Sequence, residues 1–171
     1  MLKQLNWVER KFVFNFPVEI FPSMLERFRG TPARLEETTK NLAEEILTFK
    51  PEGKWSIKEQ VGHLIVLEEL NTKRLDDFLN RKEILSAADM TNKKTSESNY
   101  NQKNINDLLK EFSESRKHIV SRLERFSKEQ VAIISIHPRL NQKMRVIDLI
   151  YFTSEHDDHH LTKIREIINS R

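Results

Sequence analysis

His63, His156 and His160 are the residues of this 171-residue chain whose type and spacing could do chemistry. His156 and His160 lie four apart in Glu155-His156-Asp157-Asp158-His159-His160, a stretch with helical periodicity, so both rings leave one face of a helix. They occupy positions that Leu149, Phe152, Ile164 and Ile167 assign to an inward stripe. A buried imidazole needs partners. One metal ion satisfies two or three imidazoles at once, and bundle cores hold such ions. His63, in Gly62-His63-Leu64 of an earlier apolar helix, also faces inward and can complete a facial set of three nitrogens. Such a set leaves metal positions open for water or substrate. The competing reading is a pair of histidines four apart by chance. His159 is turned about 100 degrees from its neighbour and is set aside as a shared ligand.

Other ionisable residues carry two readings each. Glu68 and Glu69 lie about one and a half turns beyond His63. They read first as solvated surface carboxylates and second as a ligand or general base. Asp157 and Asp158 either orient a ligand imidazole or form an exposed acidic face. Arg116 falls near the inward stripe of its helix, between Phe112 and Ile119. Buried, it would hold an anionic substrate group; otherwise it snorkels to solvent or pairs with a glutamate. His137, in Ile136-His137-Pro138-Arg139-Leu140-Asn141, reads first as a surface turn histidine and second as part of the site mouth.

The elements that position these residues are helices. Three glycines and five prolines leave room for long uninterrupted ones. An irregular N-terminal segment, aromatic from Trp7 to Phe21, precedes a short helix from Pro22 to Arg29 with Gly30 as its left-handed cap. Thr31-Pro32 then reads as an N-cap and first helical residue. Leu35, Thr39, Leu42, Ile46 and Phe49 form one stripe, stopped by Pro51-Glu52-Gly53. Ser56-Ile57-Lys58-Glu59 is a capping box that opens a helix running to about Asn80. Residues 81–103 are polar and read as a long crossover connection, either a lid or a dimer contact. Ile105, Leu108, Phe112, Ile119, Leu123 and Phe126 mark a third helix. The last starts near Arg145, after a turn at Asn141 to Lys143. The expected fold is an all-α four-helix bundle with one long crossover, a single domain over residues 1–171.

Composition narrows the partners. Hydrophobic residues are 37% and charged residues 32%, with a net charge of +3 and the two signs interspersed. There is no basic stripe of the kind phosphate binding requires, so nucleic acid is not expected as a partner. No run approaches the ~18 apolar residues of a membrane span, and the first ten residues carry no apolar h-region or cleavage signal. The absence of cysteine excludes a disulfide framework and fits a reducing compartment, so a cytoplasmic location is expected.

Several segments together resemble the DinB-like superfamily of small bacterial four-helix proteins. They are Arg29 to Arg34 (Arg-Gly-Thr-Pro-Ala-Arg), Lys54 to Leu64 with its Trp-Ser and Gly-His-Leu, Ala88 to Asn92 with Asn99-Tyr100-Asn101, Phe112 to Arg116, and His156 to His160. The resemblance runs from about Trp7 to Ile168. It implies a divalent metal, zinc or nickel before iron or manganese, held by His63, His156 and His160. It also implies homodimers and a glycine near Asn141 that this chain lacks. A metal on three neutral imidazoles keeps its positive charge and can lower the pKa of bound water toward about 7 or hold a thiol as thiolate. The expected function is therefore a metal-dependent hydrolase or a transferase using a low-molecular-weight thiol, acting on a small molecule. Any thiol must come from outside a chain without cysteine. The competing class is a non-catalytic stress-related or binding protein with the same fold.

Overall fold

The computed structural model describes residues 4–171; the first three residues of the N-terminal stretch read above for leader features lie outside them. Helices α1 (Phe21–Arg29) and α2 (Thr31–Thr39) follow one another directly. Gly30 is not the left-handed cap expected: its backbone is right-handed, with φ −76° and ψ −10°. The interruption comes from Pro32, which has no N–H to offer the Phe28 carbonyl four residues earlier. The single helix expected over the Leu35–Phe49 stripe is also broken. Lys40 turns extended, Asn41 is left-handed at φ 60°, and a separate α3 (Glu44–Thr48) follows. Asparagine tolerates that conformation. Leu42, Ile46 and Phe49 still pack on the core, so the stripe outlasts the helix.

Helix α4 (Ile57–Leu79) starts as its capping box requires. Ser56 Oγ accepts the Glu59 N–H at 3.1 Å, and Glu59 Oε2 accepts the Ser56 N–H at 2.8 Å. The crossover contains α5 (Lys93–Glu97) and a 3-10 turn at Tyr100–Gln102. Tyr100 is buried against α4, and its ring occupies the place of a side chain at Gly62: a Cβ there would stand 2.3 Å from Tyr100 Cδ2. Gly62→Ala is therefore expected to destabilise the protein by about 1–3 kcal/mol, as overpacking does. Chemical denaturation reads the loss, and most of it should vanish in a Tyr100→Ala background.

Helix α6 (Ile105–Leu123) matches the third stripe, and a short α7 (Lys128–Val131) follows it. The turn expected before the last helix is in fact an antiparallel hairpin, β1 (Ile134–His137) and β2 (Gln142–Arg145), with Ile134 opposite Arg145 and His137 opposite Gln142. Four-residue strands offer too few residues for alternation to show. Asn141, at φ 50°, takes the left-handed conformation that a glycine would supply. Ile136 also pairs with the crossover: it accepts the Leu85 N–H at 3.0 Å and donates to the Glu83 carbonyl at 2.7 Å. Helix α8 (Val146–Asn169) completes the fold.

The bundle is formed by α1 with α2, α4, α6 and α8, and the α4–α6, α1–α8 and α4–α8 faces are its main contacts. Two apolar clusters fill it. One gathers Phe28, Phe78, Leu123 and Leu149; the other gathers Leu35, Ile57, Leu108 and Ile164. Along α4, α6 and α8 the residues between these clusters are polar: Glu68 and Asn71, Arg116, and Asp157. The hydrophobic core is thus divided by a belt of hydrogen-bonded polar and acid–base side chains. Among the described residues, no helix is long and apolar enough to cross a membrane.

Candidate metal centre

Helix α4 supplies His63, and α8 supplies His156 and His160 from one face. Each offers a ring nitrogen within 4.8 Å of the others, and among the described residues these three alone form the group. The Nε2 atoms of His156 and His160 are 3.2 Å apart. Two imidazoles bound tetrahedrally at 2.0–2.1 Å from one ion stand about 3.3 Å apart, so this pair already has ligand spacing. Trp55 flanks the group, 4.7 Å from His63 and stacked 6.3 Å from His160, and Trp7 meets His156 edge-on at 4.7 Å.

The outer hydrogen bonds set which nitrogens carry lone pairs. Gln60 Oε1, an acceptor, lies 2.5 Å from His160 Nδ1. The proton is therefore on Nδ1, and Nε2 presents its lone pair toward His156. Thr95 Oγ1 lies 3.2 Å from His63 Nδ1, which leaves Nε2 free. Such partners fix the tautomer and orientation of a ligand imidazole. His156 Nδ1 is buried with no partner. Burial keeps all three rings neutral: it lowers the His63 pKa to about 4, and holds His156 and His160 well below the ordinary value with help from neighbouring histidines. Converging neutral nitrogens with oriented lone pairs fit a divalent cation.

The carboxylates lie elsewhere. Glu68 is 2% exposed, which overturns its reading as a surface residue. Its oxygens receive Arg116 Nε at 2.8 Å and Nη2 at 2.9 Å. Glu69 is on the surface and binds Lys94. Neither borders the imidazoles' cavity. Asp157 belongs to neither of its expected roles: it is 1% exposed and accepts from Arg116 Nη1 at 2.7 Å and Thr31 Oγ1 at 2.8 Å. Asp158 pairs with Arg27 and Arg34 at 2.5 Å. Arg116 is buried as one reading required, but all three of its nitrogens are engaged within the belt, so it holds no substrate. Nη1 also donates to the Phe28 carbonyl at 2.7 Å, the acceptor that Pro32 leaves free. Burial opposes the Arg116 charge, but Asp157 and Glu68 outweigh it and raise the pKa.

A cavity of about 480 Å³ opens on the three histidines. His137 lines it and is 2% exposed, so its first reading, a surface histidine, is corrected. Arg74, Arg139 and His159 line it as well. The sequence reading missed Arg74, although His63, Leu67, Leu70, Asn71 and Arg74 repeat at helical spacing along α4 and that register was legible. Gln60 and Thr95 were missed for a different reason: only the packed structure shows which histidines they touch. Residues 87–90 and Asn92 of the crossover form part of the cavity wall.

No curated protein sequence matches the chain. Among solved structures it is similar to YfiT from Bacillus subtilis, described as a probable metal-dependent hydrolase with an unusual four-helix bundle topology. The TM-score is 0.81 at 18% identity, over 95% of this chain and 93% of that one. At that identity the likeness shows the fold alone; sequence supplies the family. The DinB superfamily model matches residues 27–164, a span that contains the break between α1 and α2, the Arg116 belt and all three converging histidines. The chain belongs to the DinB superfamily.

Proposed function

We propose that this protein is a metal-dependent hydrolase of small molecules, with a divalent ion held by His63, His156 and His160. The observation that carries the reading is the open side of the group: three neutral imidazoles whose ligand atoms no fourth His, Cys, Asp or Glu joins among the described residues, facing a cavity of substrate size. A structural site would be closed by a fourth protein ligand. When bound, the ion supplies Lewis acidity that polarises an oxygen or sulfur ligand. Three imidazoles do not choose among zinc, nickel, iron and manganese. The description of YfiT favours hydrolysis, and transfer to an external small thiol is the second outcome that the same assay separates.

The chain's own residues do the rest. Gln60 holds the His160 imidazole in its binding tautomer, and Thr95 orients that of His63. Trp7, Trp55 and Phe152 restrict water. His159 stands beside the group, with ring centroids 6.4 Å from His156 and 5.4 Å from His160, and its Nδ1 is buried without a partner. It is neutral, its pKa held down to about 4 by burial, Lys163 and Arg10, and it is placed to accept a proton from the cavity. Glu68 and Glu69 are not used as bases.

Elemental analysis of untagged protein should find about one ion per chain, and His63→Ala should lower both metal content and turnover of ester or amide probes by at least about tenfold. Protein without stoichiometric metal, or His63→Ala with unchanged metal content, overturns the reading. Turnover that requires added thiol selects transfer over hydrolysis.

A further inference from the structure

A buried arginine without a carboxylate partner and two donors without acceptors line the same cavity. Arg74 on α4 is 4% exposed; its Nε donates to the Ser86 carbonyl at 2.9 Å, and no carboxylate pairs with it among the described residues. Arg139, in the hairpin turn, has a buried Nη2 with no partner, while its guanidinium lies over Trp7 at 5.9 Å and Phe152 at 5.7 Å. His137 Nδ1 accepts the Leu140 N–H at 3.2 Å. The proton of the neutral ring is therefore on Nε2, which is buried and also unpartnered. Two cations and an N–H are thus held together, and among the described residues nothing accepts from Arg139 Nη2 or His137 Nε2. Unsatisfied buried donors are costly and uncommon in native proteins. Asp89, the carboxylate bordering the cavity, does not answer them: its oxygens accept from Thr91 and the Lys93 N–H. The mutual field is visible in the ionisation of the group. Burial and then Arg74 and Arg139 push the His137 pKa down to about 3, and burial lowers Arg74 to about 10, with the Asp77 carboxylate opposing the shift and Arg139 adding to it.

We infer that Arg74, Arg139 and His137 form an oxyanion subsite, and that the substrate is a small amphiphile bearing a carboxylate or phosphoryl group. The inference rests on the hydrolase reading only in calling the ligand a substrate. Arginine forks match planar and tetrahedral oxyanions, and His137 Nε2 adds a donor. The remaining wall is apolar, with Leu67, Leu70, Met90 and Phe152 between the two tryptophans, so the uncharged part of the ligand lies there. The anion is held at one end of the cavity wall and the reacting bond is presented to the imidazoles. This is the task the sequence had suggested for Arg116, carried out by other arginines.

The test uses the full chain and the fluorescence of Trp7 and Trp55, its two tryptophans, both of which border the cavity. Phenylacetate and phenyl phosphate are titrated against neutral phenylacetamide, and the tighter of the two anions identifies the headgroup. The anion should bind at least about tenfold tighter than the amide, and Arg139→Gln should weaken the anion by about tenfold while leaving the amide unchanged. Arg139→Lys, which keeps the charge, should recover part of the affinity. Among the described residues the Arg139 side chain has no hydrogen-bond partner, so the variant is expected to fold without loss of one. In His63→Ala the anion should still bind, which separates this subsite from the metal reading: missing metal defeats that reading alone. Equal binding of anion and amide, wild-type anion affinity in Arg139→Gln, loss of anion binding in His63→Ala, or no saturable signal each overturns the subsite.

Discussion

Arg116→Met is expected to cost about 3–5 kcal/mol of stability, a large part of what a domain this size possesses. Among the described residues the guanidinium is the only cation that reaches both Glu68 and Asp157, and it is 1% exposed. Methionine fills much of its volume but leaves two carboxylates buried without a counter-ion and the Phe28 carbonyl without a donor. One of the acids must then take up a proton or water must enter the core. Urea unfolding followed by circular dichroism measures the loss. The triple variant Glu68→Leu, Arg116→Met, Asp157→Leu should recover most of it, because a buried ion cluster replaced whole by apolar side chains is often neutral or better. If the single and triple variants are equally unstable, the belt matters for its shape and not for its charge balance.

Acidification of the metal-free protein is expected to destabilise it between pH 7 and pH 5, before most carboxylates titrate. The sign follows from burial. His63 has a folded pKa of about 4 against an ordinary value of 6.5, and His137, His156, His159 and His160 are lowered too. The unfolded chain therefore binds protons first as pH falls, and stability that is complete above 6.5 is lost on the way down to about 4. His63 alone accounts for a loss on the order of 2 kcal/mol at pH 5. Thermal unfolding over this range should show a shallower slope in His63→Ala. Added zinc should raise the midpoint at pH 7, keep most of that effect at pH 5 where the folded imidazoles are still neutral, and lose it only toward the folded His63 pKa of about 4, where protons and the ion compete for the same lone pairs.

The parts of this molecule that were legible in the sequence are those set by local spacing. The Ser56–Glu59 box places the start of α4, and a 3.6-residue stripe on α8 turns His156 and His160 to one side. Both signals lie within a few turns of helix and need no tertiary partner. Glu68 and Asp157 failed for the opposite reason: a charged residue reads as solvated until its counter-ion is known, and theirs arrives from α6, 48 and 41 residues away in the chain. The hairpin and Asn41 failed because a short strand and a single left-handed residue leave almost no periodic trace. His137 was misplaced along with the hairpin that buries it.

The crossover is fastened at both ends, by the Ile84–Ile136 bridge to the hairpin and by Tyr100 lying over Gly62. Between these fastenings, residues 87–90 and Asn92 border the cavity while contributing none of the converging imidazoles. Loops of this kind accept changes in length and sequence that helices refuse. The converging histidines and this part of the wall that faces them thus lie on separate stretches of chain. A lineage can exchange the contents of that short stretch, and with it the molecules admitted, while the bundle and its histidines stay as they are.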